Sequence, residues 1–363
     1  MIIFIPILIF VSISTLIIIY NFFTAPIVRD SPAPIDEKKL VSVLIPSRNE
    51  EKNIGLCLNF ILAQDYKNLE VLVLDDQSTD RTKEIVKSFS EKHSKIFCFD
   101  GEQLPKDWTG KNWACHQLSQ KAKGNYLLFI DADVELAPNA ISSTAKIMAE
   151  TKIKMLSVFP TQKIKSFGEW LIVPLMNWLL LAFLPLRQVY ASRNNSFIAA
   201  NGQFILWDRE TYFSIGGHQQ VADSVVEDME LARKAKQKNK IITLLGGNVI
   251  FCRMYSSFPD AFKGFSKNFY PGFNLNPIIF ICFVIILFFL FVVSSVFALT
   301  DSNYLIVVML IVLSRILISQ MSHQNLFLNV ILHPIQMILM LVVGINSVVS
   351  TKLGYAAWKG RKL

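Results

Sequence analysis

Apolar positions dominate both ends of the chain and alternate with polar ones in its middle. Residues 2–23 carry no charged side chain, and a helix of this length crosses a hydrocarbon core of about 30 Å. Three more apolar stretches lie near the C-terminus, at residues 277–299, 304–319 and 327–349. The pattern predicts a transmembrane helix over residues 1–24, a folded domain over 40–273, membrane helices over 277–350 and a basic tail over 351–363.

The middle of the chain alternates short apolar runs with amphipathic segments. Runs at 41–45 and 71–74 are each followed by a polar loop and then by a helical pattern, at 53–64 and 80–90. A third apolar run occupies residues 126–130. This alternation is typical of parallel strands joined by crossover helices. The sequence therefore predicts an α/β fold with a doubly wound, mostly parallel sheet.

Polar loops follow the three runs, at residues 46–50, 75–79 and 131–133. In an open parallel sheet the ligand lies outside the carboxyl ends of the strands, so we expect these loops to converge on one crevice. Asp131 and Asp133 are two carboxylates of the kind that hold a divalent cation against a diphosphate. Glu227 and Asp228 supply a candidate base. Turn and capping interactions are the alternative interpretation of Asp76.

Two segments of the middle domain have the aromatic pattern of a membrane surface. Residues 167–190 contain two tryptophans and a tyrosine among leucines and prolines, and such side chains favour the headgroup level of a bilayer. In residues 258–273 phenylalanines recur at helical spacing, with Lys263 and Lys267 on other faces. We expect both segments to be interfacial helices. A buried helix that covers the sheet is the alternative for the first.

Composition and charge narrow the function classes. The chain is 52% hydrophobic, with a mean hydropathy of +0.40, which exceeds what a soluble domain needs. The net charge is +8, but the basic residues are scattered and form no aromatic-interleaved module, which argues against nucleic acid as a partner. Attraction to an anionic lipid bilayer accounts for the charge. Few charges occur inside the apolar runs, which argues against a transporter or channel.

The distribution of basic residues predicts the orientation of the chain. Lysines and arginines follow the first apolar run, whereas the connection between the next two runs has none. The positive-inside rule then places the middle domain in the cytoplasm. Three simple spans after the middle domain would place the basic tail on the opposite side of the membrane from the cytoplasm. We therefore expect one of the last segments to be re-entrant or interfacial: either 304–319, which contains Arg315, or 327–349, which is broken at His333. The five cysteines have no metal-binding spacing, which predicts free thiols.

Four motifs occur in the order that a known family has them. Residues 45–51 read IPSRNEE and residues 74–80 read LDDQSTD. Together with Asp131-Ala132-Asp133 and Glu227-Asp228, they resemble the family 2 glycosyltransferases, which have the GT-A fold. The resemblance implies a UDP-sugar donor, a divalent cation (Mg²⁺ or Mn²⁺), and a catalytic domain in the middle of the chain.

Roles for individual residues follow from this resemblance. It implies that Asp76 reads the nucleotide base and that Asp133 is a metal ligand. Asp131 would contact the ribose, the metal or its water, and Asp228, beside Glu227, would be the catalytic base. The loop that lines the base and ribose would consist of Pro46, Ser47, Arg48, Asn49 and Glu50.

A closer likeness comes from residues 108–115, which read WTGKNWAC, from Gly216-Gly217-His218 and from residues 358–361. These resemble membrane-bound family members that glycosylate lipids, especially the diaponeurosporenoate (carotenoid acid) glucosyltransferases. Lys111 would then offset the charge of the departing diphosphate; a solvated surface lysine is the alternative.

The same likeness implies an acceptor side. Gly216 and Gly217 would line the acceptor site and His218 would orient the acceptor, whereas ordinary loop glycines and a structural histidine are the alternatives. Arg253 would reach the diphosphate or the acceptor, or else form a structural ion pair. Glycines at Gly202 and Gly216 both mark places where the backbone turns tightly or approaches a ligand.

The Q-x-x-R-W motif of processive members is absent from the sequence, which indicates transfer of a single sugar. The resemblance as a whole implies inverting transfer of one hexose from a UDP-sugar, UDP-glucose, to a membrane lipid such as a carotenoid acid, at a bacterial cell membrane. Another lipid (a glycerolipid, sphingoid or hopanoid) and a polyprenyl phosphate are alternative acceptors. A membrane scaffold with a degenerate site is the non-enzymatic alternative.

Overall fold

Short apolar runs form the strands of a mostly parallel sheet. The computed structural model of the chain describes residues 3–29, 39–354, 357–358 and 361–362. Its strands are β1 (Val41–Ser47), β2 (Leu69–Asp75), β3 (Ile96–Asp100), β4 (Tyr126–Ile130), β5 (Val134–Leu136), β6 (Met155–Phe159), β7 (Thr161–Gln162), β8 (Phe204–Asp208), β9 (Ile241–Leu245), β10 (Ile250–Cys252), β11 (Ala357–Trp358) and β12 (Arg361–Lys362).

Helices occupy most of the remaining described residues. They are α1 (Phe4–Thr24), α2 (Ile54–Leu62), α3 (Thr82–Lys92), α4 (Gly110–Lys121), α5 (Ala140–Thr151), α6 (Phe167–Ile172), α7 (Pro174–Phe183), α8 (Gln188–Ala191), α9 (Arg209–Ser214), α10 (Glu227–Lys236), α11 (Phe258–Phe273), α12 (Pro277–Phe288), α13 (Ser294–Phe297), α14 (Leu305–Met321), α15 (Leu326–Ile331) and α16 (His333–Lys352). Two 3₁₀ turns (Gly217–Val221 and Ser302–Tyr304) and a π-helical turn (Phe289–Val293) complete the set.

The main sheet has the strand order β3-β2-β1-β4-β8-β6-β9. Strands β3, β2, β1 and β4 are parallel to one another, β6 is parallel to β9, and β8 runs antiparallel between β4 and β6. The register pairs Ser47 with Asp75 and Leu44 with Phe129. The carboxyl ends of β1, β2 and β4 therefore lie at the same edge of the sheet. A three-stranded sheet, β5-β10-β7, lies beside this edge.

Both faces of the central strands are buried, as a doubly wound sheet requires. In β1, Val43 and Ile45 face one apolar cluster and Leu44 faces the other, and all three are fully buried. The first cluster includes side chains of α2, α3 and α5. The second includes those of α4, α7, α10 and the apolar helices near both ends of the chain. The predicted fold class is confirmed, and the predicted helices at 53–64 and 80–90 correspond to α2 and α3.

Four helices are long and apolar enough to cross a membrane among the described residues, namely Phe4–Thr24, Pro277–Phe297, Ser302–Met321 and His333–Lys352. The segment predicted at 304–319 is longer than its apolar run suggested and reaches 20 residues. Helix α16 begins at the predicted break, His333. Within this bundle Thr15 and Ser314 share a hydrogen bond of 3.0 Å, and Arg315 donates to His333 Nδ1 over 2.7 Å.

The two segments predicted to be interfacial differ in their packing. Residues 167–190 form three helices, α6 to α8, with Pro174 at the start of α7. Trp178 of α7 is fully buried, and Asn21 of α1 donates to Leu181 O over 2.9 Å. This burial fits the alternative of a buried helix, although α7 packs against apolar helices rather than covering the sheet alone. Their location at a membrane interface stays a prediction.

Helix α11 has the predicted bounds and packs against α16. The Tyr270 N–H donates to Ser347 Oγ over 2.9 Å. A Cβ added at Gly344 of α16 would lie 3.4 Å from Phe269 of α11 and 3.2 Å from Val284 of α12. The absence of a side chain at Gly344 therefore lets three helices approach closely.

Part of the predicted basic tail, residues 351–363, lies outside the described residues, and so does part of the motif at 358–361. The described strands β11 and β12 pair antiparallel. All five cysteines are free thiols, as predicted.

Candidate active site

Two carboxylates follow the buried strand β4. The Asp131 N–H donates to Gln203 O of the neighbouring segment over 3.2 Å, which fixes the turn into β5. Asp133 Oδ1 is buried and has no hydrogen-bond partner among the described residues. Burial, together with the charges of Asp131 and Glu50, raises the pKa of Asp133 to about 7. Because neighbouring carboxylates repel the charge of Asp133, a bound cation would stabilise the ionised form of its side chain.

A second acidic pair begins helix α10, where the unpaired N–H groups favour negative charge. Asp228 accepts hydrogen bonds of 2.8 Å from the N–H groups of Gly202 and Met229. These bonds and the charge of Lys111 stabilise the carboxylate, but burial and the neighbouring charge of Glu227 outweigh them and raise the pKa of Asp228 to about 7. Such a group is half ionised near neutral pH, where a general base is most effective.

Lys111 joins the two acidic pairs. Thr109 caps helix α4 by accepting from the Asn112 N–H, which places Lys111 in the first turn. Its Nζ lies 2.9 and 3.1 Å from the two oxygens of Asp131 and 3.4 Å from Glu227 Oε1. Burial opposes the charge, but these two carboxylates raise the pKa of Lys111 well above its usual value. The amine therefore stays protonated, and it is not a solvated surface lysine.

Gly202 allows this close grouping. A Cβ at Gly202 would lie 3.1 Å from Lys111 Nζ, 3.3 Å from Glu227 Oε1 and 3.5 Å from Asp228 Oδ2. The position needs a glycine because charged side chains converge on it, not because of its backbone angles.

The loops after β1 and β2 are bound to each other. The Asp76 N–H donates to Ser47 O over 2.8 Å, and the Arg48 guanidinium donates to the main-chain oxygens of Asp76 and Gln77. The Asn49 N–H donates to Ser78 Oγ over 3.0 Å. These contacts bring the predicted nucleotide loops together, with Arg48 directed at the other loop.

A cleft of about 1460 Å³ unites most of these groups. Its polar lining residues include Pro46, Glu50, Lys111, Asp131, Asp133, Glu227 and Asp228. Its apolar lining residues come largely from α7 and α11 and include Leu179, Leu180, Phe183, Phe265, Phe269 and Phe273. The predicted convergence of 46–50 and 131–133 is present here. Residues 75–79, the third loop of that prediction, are not among the lining residues that the structure describes; Asp76 is buried and its N–H donates to Ser47 O.

The acceptor-side glycines lie in a turn. Gly216 and Gly217 have φ angles of 83° and 52°, and a Cβ at Gly217 would lie 2.6 Å from the Tyr212 ring. The described residues that line the cleft do not include either glycine. His218 is buried, its Nδ1 lies 2.7 Å from Tyr212 Oη, and burial lowers its pKa to about 3. Its contacts are those of a neutral, structural histidine.

Arg253 lines the cleft and forms an ion pair with Glu169. Its Nη2 donates to Glu169 Oε1 over 2.8 Å, and the Glu169 side chain is 1% exposed. Glu169 also completes a capping box with Ser166. The alternative interpretation of Arg253, a structural ion pair, is therefore correct for the described structure, and a contact to diphosphate or acceptor stays a prediction.

The sequence did not predict a role at the site for two residues, Asn112 and Lys267. Asn112 Nδ2 donates to the carbonyls of Val221 and Ser224 over 2.7 and 2.9 Å, which holds the loop that precedes α10. Its position in the sequence, directly after Lys111, was the feature that could have indicated a role for Asn112 at the site. Lys267 of α11 lines the cleft, whereas helical spacing indicated only that it lies on a different face from the phenylalanines.

The donor set can be tested for a metal. Among the described residues, no group of three or more His, Cys, Asp or Glu side chains is arranged to hold an ion. Asp131 and Asp133 are thus two ligands at most, which suits Mg²⁺ or Mn²⁺, because these ions take their remaining ligands from phosphates and water. The unpartnered oxygen of Asp133 and the raised pKa of that carboxyl also fit a bound cation.

Comparison with known proteins extends this picture. Residues 42–206 match the family described as Glycosyl transferase family 2. A 4,4'-diaponeurosporenoate glycosyltransferase of Staphylococcus aureus is 27% identical over 238 residues, which cover 64% of this chain and 62% of that protein. Its counterpart in Staphylococcus haemolyticus is 26% identical over 236 residues, with coverages of 64% and 61%. The chain thus spans about three fifths of the length of these relatives.

A solved structure covers more of the chain. The mannosyltransferase PcManGT of Pyrobaculum calidifontis, determined in complex with GDP-Man and Mn²⁺, aligns over 94% of this chain and 99% of its own, with a TM-score of 0.53 and 17% sequence identity. At this identity the likeness concerns the fold. Sheet order, motif positions and the family match agree: the chain carries a glycosyl transferase family 2 domain with the GT-A fold.

Proposed function

We propose that the protein transfers a single hexose from a UDP-sugar, UDP-glucose, to a membrane lipid such as a carotenoid acid, with inversion at the anomeric carbon. The observation that carries the proposal is a single cleft lined by both charged and apolar side chains. Two carboxylate pairs gather around Lys111, and α7 and α11 supply apolar side chains to the same cleft. A nucleotide sugar suits the charged residues and a lipid chain suits the apolar ones.

In this proposal the donor lies among the charged lining residues of the cleft. Asp76 and the loop from Pro46 to Glu50 bind the nucleoside, as the family resemblance implies. Asp133, with Asp131, would hold a divalent cation, which would supply positive charge to the diphosphate of the donor. Lys111 adds a fixed cation on the same side, where negative charge develops as the diphosphate departs. The neighbour of similar fold was itself solved with a nucleotide sugar and Mn²⁺.

Asp228 acts on the acceptor. Its two hydrogen bonds from Gly202 and Met229 hold the carboxylate in place, and it accepts the proton of an acceptor hydroxyl or orients an acceptor oxygen that is already ionised. That oxygen attacks the anomeric carbon opposite the diphosphate. One carbon–oxygen bond forms, the bond to the diphosphate breaks, and UDP leaves with the electron pair. One displacement of this kind inverts the configuration.

The protein is an integral membrane protein in this proposal. Four helices are long and apolar enough to span, and α1 exposes large side chains such as Ile9, Ile13 and Leu16 along one face, which suits lipid. The positive-inside rule places the catalytic domain in the cytoplasm.

The test uses the purified full-length protein in detergent with Mg²⁺, UDP-sugars and a panel of lipid extracts. Products are identified by mass, and Asp133→Ala and Asp228→Asn serve as inactive variants. A single-hexose adduct that both substitutions abolish supports the proposal. Absence of any adduct, together with absence of UDP binding, contradicts it.

A further inference from the structure

Two lysines of α11 line the cleft. Lys263 and Lys267 are four residues apart, so they lie on the same side of the helix, and both belong to the cleft lining. Within the described part of the chain, neither forms a hydrogen bond or an ion pair. Lys267 is half-buried, and the buried Phe265 and Phe269 of the same helix line the same cleft.

A lysine elsewhere in this chain shows how a buried amine is normally satisfied. Lys236 Nζ donates to Phe197 O over 2.6 Å and to Val189 O over 2.9 Å. Among the described residues Lys267 donates to no such carbonyl, although an unpaired cation that is half-buried is costly. Burial lowers the pKa of Lys267, and the charges of Glu227, Asp131 and Asp228 act in the opposite direction. The amine is therefore within electrostatic reach of the catalytic carboxylates.

The charge of the cleft limits the acceptors that can enter it. Asp131, Asp133, Glu227 and Asp228 contribute four carboxyl groups to the lining, and these repel an anionic lipid headgroup unless a cation faces it. A neutral hydroxyl acceptor needs only a base. Lys263 and Lys267 would therefore help an anionic acceptor to bind, whereas a neutral hydroxyl acceptor would not need them.

We propose that Lys267, assisted by Lys263, binds the anionic group of the lipid acceptor, a carboxylate or a phosphate, and directs one of its oxygens at the anomeric carbon. This inference rests on the proposed glycosyltransferase function. The attacking oxygen is already ionised, so no proton is transferred. A new bond joins it to the anomeric carbon, the bond from that carbon to the diphosphate breaks, and the negative charge of the acceptor passes to the departing UDP.

The full-length protein in detergent is tested with three acceptors of similar chain length: a polyene carboxylic acid, a polyprenyl phosphate and a diacylglycerol. The variants are Lys267→Gln, Lys263→Gln, the charge-conserving Lys267→Arg, and Lys238→Gln as a control at an exposed lysine outside the cleft. For each, KM is measured separately for the acceptor and for UDP-glucose.

We expect an anionic lipid to be the acceptor and Lys267→Gln to raise its KM by about tenfold or more. Lys263→Gln has a smaller effect, Lys267→Arg restores most of the affinity, and Lys238→Gln matches the parent protein. A structural role for Lys267 would not be rescued by arginine in this selective way. Comparison of the polyene carboxylic acid with the polyprenyl phosphate shows whether the preferred headgroup is a carboxylate or a phosphate.

Two results overturn the inference. Transfer to diacylglycerol in preference to both anionic lipids removes the need for the cation, and a rise in the KM for UDP-glucose instead of the acceptor assigns Lys267 to the donor. Both leave the proposed transferase function standing. Failure of the parent protein to bind UDP, by contrast, removes the transferase function itself.

Discussion

Lys111→Met tests whether a fixed positive charge between the two acidic pairs is needed for activity. The substitution keeps much of the side-chain volume and removes the amine that lies 2.9 Å from Asp131 and 3.4 Å from Glu227. The acidic pairs after β4 and at the start of α10 then face each other without the cation between them. The donor diphosphate also loses the positive charge that would stabilise its departure.

The size of the effect follows from these distances. Two unit charges 4 Å apart interact by about 4 kcal/mol at an effective dielectric constant of about 20. The side chains of Lys111 and Asp131 are 22% and 29% exposed, and solvent screening reduces the interaction to about 2–3 kcal/mol. Since about 1.4 kcal/mol corresponds to a factor of ten in rate, we expect kcat/KM to fall by about 10².

The pH dependence supplies a second, independent readout. The charge of Lys111 acts to lower the pKa of both Asp133 and Asp228. Its removal therefore moves the rise of activity with pH above the value of about 7 at which these carboxyls titrate in the parent protein. UDP release is followed between about pH 6 and pH 9, with Lys111→Arg as the charge-conserving control.

The reasoning is refuted if Lys111→Met retains activity within about threefold of the parent protein, or if its pH profile moves to lower pH. Either result would mean that Lys111 serves the fold and not the charge balance of the cleft. A thermal unfolding scan in detergent identifies variants that have merely lost their structure.

Three further predictions concern the same cleft. Gly202→Ala adds a Cβ 3.1 Å from the nearest amine, so we expect kcat to fall by about tenfold while the unfolding free energy changes by less than about 1 kcal/mol; full activity would contradict this. Because the pKa of Asp133 and of Asp228 is raised to about 7, kcat/KM of the parent protein should rise with pH up to about 7 and then level off; a flat profile from about pH 5 to 8 would argue that neither titrates during catalysis. Arg253→Met leaves the carboxylate of Glu169 buried without its cation and should cost about 3 kcal/mol of unfolding free energy at neutral pH. Burial raises the pKa of Glu169, but hydrogen bonds from Arg253 and others bring it below its ordinary value, so this loss should shrink on acidification, and the double variant Arg253→Met/Glu169→Gln should recover stability.

The sequence was sufficient for elements whose residues are constrained by local chemistry. Strand β4 and the acidic pair after it were predicted because a run of buried apolar residues that ends in two carboxylates has few other interpretations. Helix α11 was predicted with its observed bounds, since its phenylalanines repeat at helical spacing. The convergence of the loops after β1 and β4 followed from the geometry of parallel strands.

Features that depend on contacts between distant segments were not predictable. Strand β8 enters the sheet antiparallel between β4 and β6, and nothing in its own residues specifies those neighbours. The sequence separates the phenylalanines of α11 from Lys263 and Lys267 on other faces, but helical spacing does not reveal what each face meets, so the place of Lys267 in the cleft was not predictable. Arg253 likewise gave no sign of pairing with Glu169, which lies 84 residues away.

The bonding of α11 to α16 bears on how the protein is made. One wall of the cleft is a helix that ends at Phe273, but much of the surface it packs on belongs to α16, which begins at His333. During synthesis the sheet and its carboxylates are complete before that surface exists. Part of the apolar side of α11 therefore stays uncovered until residues 333–352 have been added, and a fragment that stops after α11 should aggregate instead of yielding a working catalytic domain. Completion of this wall of the cleft depends on residues far downstream of the sheet and is not an early folding event.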